Sequence, residues 1–331
     1  MSEPAWTSSQ GRRSAVAVYS IPLRTRFRGI TIREGMLIRG PSGWGEFSPF
    51  WDYAAAEAGR WWSCAVEAAA GTWPAPLRDR IPVNCTVAAV TAEAAQAVVL
   101  ASGCRTAKVK VAEPGQSLGD DVERVAAVRD ALGAGGAIRV DANGAWSVDE
   151  AIAAIAALDR AAGELEYVEQ PCRSLEELAA VRVRVDVPIA ADESIRRAQD
   201  PLRVAVLGAA DIAVLKVAPL GGVRRALAVA ERCGLPVVVS SALETSVGLA
   251  AGVALAAALP ELPYACGLAT GALLDGDVCS DPLVPVDGFL PVRSVNPDLR
   301  ADVAADEATT RRWSERLTTV DGPAMRPERT A

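Results

Sequence analysis

The stretch AKVKVAE, Ala107 to Glu113, places two lysines on alternate positions of a run otherwise built from valine and alanine. Alternate residues of an extended chain share a face, so Lys108 and Lys110 lie about 6.6 Å apart on one side of a strand that reads as core. Lysine is almost never fully buried without a partner. The same pattern recurs to either side of this strand. Short Val/Ile/Ala-rich runs end near Thr86 (IPVNCT), Lys110 (TAKVK), Asp141 (AIRVD), Glu169 (LEYVE), Asp192 (PIAAD), Lys216 (IAVLK), Ser241 (VVVSS) and Gly267 (YACG), with Ala-rich helical stretches between them. Their ends are spaced by roughly 23 to 31 residues, the length of a strand, a crossover helix and two short loops. Eight such units predict a parallel (β/α)8-type barrel. No Gly-x-Gly-x-x-Gly follows the first strand, which counts against a dinucleotide fold.

Composition narrows the function. The 331 residues carry 34 Lys+Arg against 41 Asp+Glu, a net charge of -7, with no basic stripe to neutralise phosphates, so a nucleic-acid partner is not expected. The seven cysteines are scattered and never spaced Cys-x-x-Cys, which predicts neither a disulfide framework nor a zinc site and suits a reducing cytoplasm. The N-terminal MSEPAWTSSQ lacks the order of a signal peptide. The most membrane-like run, VGLAAGVALAAALP (Val247 to Pro260), is too short to span and reads as a buried amphipathic helix, so no membrane partner is expected. The absence of histidine excludes Ser-His-Asp and Cys-His hydrolases and every imidazole-based metal site, leaving proton chemistry to Lys, carboxylates, Tyr or Cys.

Asp141, Glu169 and Asp192 close three consecutive strands, in the triplets DAN, EQP and DES. Catalytic groups of such barrels sit at the C-terminal strand ends. The three carboxylates are therefore expected to face one centre, where they repel unless a cation lies between them. Oxygen ligands alone suit Mg2+, with Mn2+ able to substitute. Each carboxylate taken singly reads as a helix cap or a partner of a surface arginine, and AKVKVAE taken alone reads as an edge strand with solubilising lysines. The series reverses this. Lys108 and Lys110 precede the first carboxylate, and Lys216 closes the sixth strand across the barrel mouth. Burial, neighbouring ammonium groups and a divalent ion should lower a lysine pKa toward that of a general base, with the carboxylates acting in the opposite sense. Metal plus lysine suits removal of a proton alpha to a carboxylate.

On Lys108-x-Lys110, DAN, EQP, DES and Lys216 ahead of a Gly-Gly helix start, in that order and spacing, the chain resembles the enolase superfamily in its muconate-lactonizing-like branch, over nearly its whole length. The resemblance implies a modified TIM, or (β/α)7β, barrel with an α+β capping domain. Residues 1–80 would form the cap, 81–285 the catalytic barrel, and 286–331 a segment returning to the cap and ending in a disordered tail. In the cap, SAVAVYSIPL, ITIREGMLIRG and GWGEFSPF read as an antiparallel meander before a Trp-rich helix; GWGEFSPF reads as a glycine turn beside packed aromatics and is assigned no chemistry.

Within the branch the details resemble the short actinobacterial-type dehydratases of menaquinone biosynthesis, which remove water from 2-succinyl-6-hydroxy-2,4-cyclohexadiene-1-carboxylate to form an aromatic product. Carried over by position, Lys110 takes the proton alpha to the ring carboxylate and returns it to the departing hydroxyl on the same face. Lys108 assists electrostatically, Lys216 steadies the enediolate from the opposite face, and Asp141, Glu169 and Asp192 hold the metal. Dipeptide epimerases of the branch carry an Asp-x-Asp near the eighth strand, where this chain reads CGLATG. N-succinylamino acid racemases place an arginine where Pro219 stands. A racemase or another enzyme of the branch remains the alternative, since lysines flank the site on both sides, and a catalytically silent metal-binding barrel is the reading outside enzymes. Substrate-binding candidates are Ser240 and Ser241, which could instead cap the next helix, Arg28 in the basic segment RTRFRG, Asn143, and Gly267. Monomer and homo-oligomer are both open.

Overall fold

The computed structural model describes residues 14–197, 200–298 and 300–320. Strands β1 (Ser14–Phe27), β2 (Ile30–Arg39) and β3 (Trp44–Phe47) form an antiparallel meander in chain order. β1 and β2 meet at a two-residue turn, Arg28-Gly29, with φ of 50° and 79°, the mirror-image turn that matches the twist of paired strands. Helix α1 (Ala55–Ala70) follows. Its first turn is closed by Glu57, which accepts from the Ala54 N–H at 3.2 Å, and it ends where Gly71 turns left-handed. α1 lies so close on β3 that a Cβ at Gly45 would fall 2.0 Å from the Ala65 carbonyl oxygen. GWGEFSPF is thus a strand pressed under a helix, with the Phe47 ring meeting Trp62 and Trp313 edge-on at 5.8 and 5.9 Å.

After β4 (Arg80–Pro82) the chain repeats strand and helix: β5 (Cys85–Val87), α2 (Ala92–Ser102), β6 (Thr106–Lys110), α3 (Leu118–Leu132), β7 (Ala137–Asp141), α4 (Val148–Ala162), β8 (Tyr167–Glu169) and α5 (Leu175–Arg182). It continues through β9 (Ile189–Ala191), the short α6 (Glu193–Arg196) and α7 (Arg203–Val206), β10 (Ile212–Lys216), α8 (Val217–Leu220), α9 (Val223–Cys233), β11 (Val237–Ser240) and α10 (Ser246–Ala258). Strands β5 to β11 are parallel and neighbour one another in sequence order. The circle closes through Cys266 and Gly267: Cys266 bridges to Val83 beside β5, Gly267 bridges to Ser240 of β11, and Gly267 N donates to Val239 O at 2.8 Å. The result is a (β/α)7β barrel. Glycine at 267 permits the approach, since a Cβ there would lie 2.5 Å from Ser240 Oγ.

Local chemistry starts the crossover helices. Ser117, Ser147 and Ser174 each cap a helix, with Asp120, Glu150 and Glu177 three residues on accepting from the capping N–H in return. Two expectations need refinement. IPVNCT is not one strand: Arg80–Pro82 pairs antiparallel with β12 (Phe289–Pro291), and only from Cys85 does the chain join the barrel. The run Val247–Pro260 is a buried helix, but not an amphipathic one; α10 is covered by the cap on one side and the barrel on the other, so Val247, Leu249, Ala250, Val253, Leu255 and Ala256 are all buried. Among the described residues no helix is long and apolar enough to cross a membrane.

Helix α11 (Glu307–Val320) packs on the cap. Trp313 is 1% exposed, and Arg316 donates to the carbonyl oxygens of Pro49, Phe50 and Tyr53. The N-terminal MSEPAWTSSQ and the tail GPAMRPERTA lie outside the described residues.

Candidate active site

The register of the central strands sets out the site in two rows. Lys108, Arg139 and Tyr167 stand side by side on β6, β7 and β8; two residues further along, Lys110, Asp141 and Glu169 form the row above. Glu169 is opposite Ala190 of β9, so Asp192, two residues on, comes from the next strand end, and Lys216 on β10 is opposite Ser240. All six of the expected lysines and carboxylates are buried, the three carboxylates completely.

They bind one another. Lys110 Nζ donates to Asp141 Oδ2 at 2.5 Å and to Asn143 Oδ1 at 2.7 Å. Lys108 Nζ is 3.1 Å from both Glu169 oxygens and 3.4 Å from Asp141 Oδ2. Lys216 Nζ donates to Asp192 Oδ2 at 2.7 Å, while Arg196 Nε holds Asp192 Oδ1 at 2.9 Å. Among the described residues no group of three or more His, Cys, Asp or Glu side chains is gathered as an ion would gather it; each carboxylate turns an oxygen to an ammonium instead.

The three buried carboxylates act on one another electrostatically. Burial, with repulsion from Asp141 and Asp192, pushes the Glu169 carboxyl up to about 7, even against Lys108. Asp141 moves the other way: burial would raise it, but Lys110 and Lys108 hold it well below the usual carboxylate range. Asp192 is likewise held low by Arg196 and Lys216 against its burial. The lysines divide. Lys216 is lowered, with burial outweighing Asp192 and Arg196 and Lys108 adding repulsion. Lys108 does not follow the downward expectation, because Glu169 and Asp141 outweigh its burial and raise it.

Several residues around this cluster carried no sequence signal of their own. Gln170 of EQP has φ 42° and is fully buried; its Oε1 accepts from Asp192 N and Ser194 N, so it sets the turn that presents Asp192. Glu193 Oε1 accepts from Asn143 Nδ2 at 3.1 Å, and its Oε2 is buried without a hydrogen-bond partner. From the cap, Phe27 places its ring 5.4 Å from Lys110 Nζ. Arg28 does not share that position: its guanidinium lies 4.5 Å over the Phe50 ring, lining a cavity of about 520 Å³ with Trp51, Asp52, Arg312 and Trp313.

Ser240 Oγ donates to Gly267 O at 3.5 Å, and Ser241 Oγ lies 2.6 Å from Thr270 Oγ1 while accepting from Leu243 N. Neither serine caps α10. That helix start is served by the cap, where Glu46 of GWGEFSPF accepts from Thr245 N, Thr245 Oγ1 and Gly248 N, as well as from Tyr19 Oη and Ser48 Oγ. Arg33 crosses the same seam, donating to Leu243 O at 2.8 Å and to Ser48 O at 2.6 Å.

Comparison with known proteins agrees with this architecture. Residues 18–69 match the family model "Enolase N-terminal domain-like" and residues 90–299 match "Enolase C-terminal domain-like". Among solved structures, the chain is similar to the L-Ala-D/L-Glu epimerase of Bacillus subtilis (TM-score 0.72, 24% identity, covering 88% of this chain and 98% of that one). It is equally similar to a muconate lactonizing enzyme of Pseudomonas fluorescens (0.72, 22%, 90% and 97%). At these identities the likeness shows the fold. The chain is 66% identical to the o-succinylbenzoate synthase of Thermobifida fusca over 301 residues, covering 90% of this chain and 93% of that protein. It is 59% identical to that of Mycolicibacterium smegmatis over 303 residues, covering 91% and 93%. With both enolase domains matched and relatives of this identity aligned along nine-tenths of its length, the chain belongs to the enolase superfamily and, within it, to the o-succinylbenzoate synthases.

Proposed function

We propose that this protein is an o-succinylbenzoate synthase acting in menaquinone biosynthesis, a hydro-lyase that eliminates water from 2-succinyl-6-hydroxy-2,4-cyclohexadiene-1-carboxylate. The observation that carries the chemical assignment is the buried row of Lys110, Asp141 and Glu169 in register at the strand ends, with Lys216 on β10 beyond it. Enzymes of the superfamily use a divalent metal. The donor set fits a hard cation, because it consists of buried carboxylate oxygens, with burial first and then repulsion from Asp141 and Asp192 raising Glu169, and Glu193 adds a buried acceptor atom with no partner. Asp141, Glu169 and Asp192 would hold the ion, and we infer Mg2+, with Mn2+ able to replace it.

A divalent ion held there would supply positive charge against the substrate carboxylate. Lys110 takes the proton from the carbon alpha to the ring carboxylate. Lys216 faces the developing enediolate from the opposite strand and steadies its charge. Lys110 then returns the same proton to the departing hydroxyl: the C–H and C–O bonds break, a ring double bond forms, and water leaves from the face on which the proton was taken. Lys108, held high by Glu169 and Asp141, remains a cation beside them and assists electrostatically. Phe27 of the cap sets its ring beside Lys110. Asn143 orients Lys110, and Ser240, Ser241 and Gly267 are the remaining candidates for substrate contacts, Arg28 being turned onto Phe50. Pro219, in α8, stands where racemases of the branch carry arginine, which favours elimination over racemisation.

The test follows loss of the diene absorbance of the substrate with Mg2+ present and again after chelation. Turnover that stops on chelation and returns with Mg2+ is expected; a folded protein that leaves the diene unchanged at saturating Mg2+ would overturn the assignment.

A further inference from the structure

Arg196 is 1% exposed and has three partners: Asp192 Oδ1 through Nε at 2.9 Å, Glu193 Oε1 through Nη2, and the hydroxyl of Tyr53 through Nη1. The first two belong to the barrel turn that carries one proposed metal ligand. The third belongs to the cap. Tyr53 is itself held from several sides: its ring packs on Phe50 and Trp61 at 6.3 and 5.8 Å, Arg197 lies 4.6 Å over it, and its carbonyl accepts from Arg316 of α11. Arg197 in turn pairs with Asp52 and Glu57 of the cap at 3.1 and 3.2 Å. A guanidinium fork with each arm engaged fixes one oxygen of Asp192 in direction and leaves the other, Oδ2, to Lys216.

We propose that Arg196 is a positioning residue that aims Asp192 into the site, and that the Tyr53 hydroxyl makes this aim depend on the docked cap, so that cation affinity and cap seating are coupled. The inference rests on the proposal that Asp192 ligates the ion. Partners of ligating carboxylates typically govern metal affinity by about 10- to 100-fold. The Tyr53→Phe variant removes only the hydroxyl and keeps the ring contacts; Arg196→Lys keeps the charge and removes the fork.

The experiment is calorimetric titration of the substrate-free protein with Mg2+ alone, wild type beside both variants, with thermal melting of each. Arg196→Lys is expected to weaken Mg2+ binding about tenfold or more, and Tyr53→Phe about three- to tenfold. The melting temperature without metal should fall modestly for Tyr53→Phe, which leaves Arg196 Nη1 without its acceptor, and raised Mg2+ should restore its turnover. Wild-type affinity in both variants would overturn the coupling, as would a loss of affinity in Tyr53→Phe that only tracks a lower melting temperature. A wild-type protein that binds no Mg2+ would instead refute the metal site, and the coupling with it.

Discussion

At the strand ends, ammonium and carboxylate groups bind chiefly one another; at the seam between cap and barrel, Glu46 and Arg33 bind hydroxyls, amide N–H groups and carbonyl oxygens. Both clusters are buried, and the difference lies in what a newcomer could replace. Glu46 satisfies the start of α10 and the cap hydroxyls at once, so displacing it would orphan several buried donors. Asp141, Glu169 and Asp192 are bound mainly by side-chain cations, with the Asn143 N–H on Asp141 Oδ1 as a backbone exception, so another cation could take most of those oxygens with little loss of backbone hydrogen bonding. One cluster acts as a joint, and the other is the proposed site.

The contrast is sharpest for Lys110→Ala. If Lys110 is the proposed acid and base, its removal should lower turnover by about 10²- to 10⁴-fold while the circular dichroism spectrum stays native; turnover within tenfold of wild type would take Lys110 out of the reaction. Glu46→Ala tests the other side of the comparison. It strips the acceptor from buried Tyr19, Ser48, Thr245 and Gly248 donors and should cost about 3–5 kcal/mol in chemical denaturation. A loss below about 1 kcal/mol would show that the seam does not depend on it.

Glu244 gives a pH test within the seam. Burial, with repulsion from Glu46, pushes its carboxyl from 4.5 up to about 7. The native state therefore keeps this proton after the unfolded chain has lost it, and stability falls as pH rises from about 4.5 to 7, by on the order of 3 kcal/mol. Glu244→Gln, neutral throughout, should match wild type near pH 4 and exceed it near pH 8 by up to about that amount; parallel stability curves for the two proteins would contradict the shift. The smallest effect belongs to an exposed pair. Arg24 and Asp275, at 3.6 Å with side chains 62% and 61% exposed, should matter by less than about 0.5 kcal/mol on Asp275→Ala, which leaves the Arg24 bond to Leu274 O in place, as read from the melting temperature.

The strand-end residues were legible because each closes a β-branched run and the parallel register brings such ends together. Lys108, Lys110, Asp141, Glu169, Asp192 and Lys216 needed no knowledge of the loops. The seam was not legible. Glu46 finds Thr245 and Gly248 about 200 residues away, and no local pattern announces such a pairing, so GWGEFSPF reads as the last piece of the meander, a glycine turn beside aromatics with no role for its carboxylate. Arg196 and Gln170 were hidden for a related reason: they follow the DES and EQP carboxylates closely, but their roles depend on Tyr53 from the cap and on the Asp192 turn. The direction of the Lys108 shift depended on magnitude rather than type, since burial and two carboxylates act in opposite senses and only the packed geometry decides between them.

The exchange of partners at the strand ends is tested most directly by a crystal structure of the protein at saturating Mg2+. One ion bound by oxygens of Asp141, Glu169 and Asp192 at about 2.1 Å, with Lys110 Nζ released from Asp141, is the predicted result. Asp141 and Glu169 still closed on Lys110 and Lys108, with no ion among the three carboxylates, would contradict it.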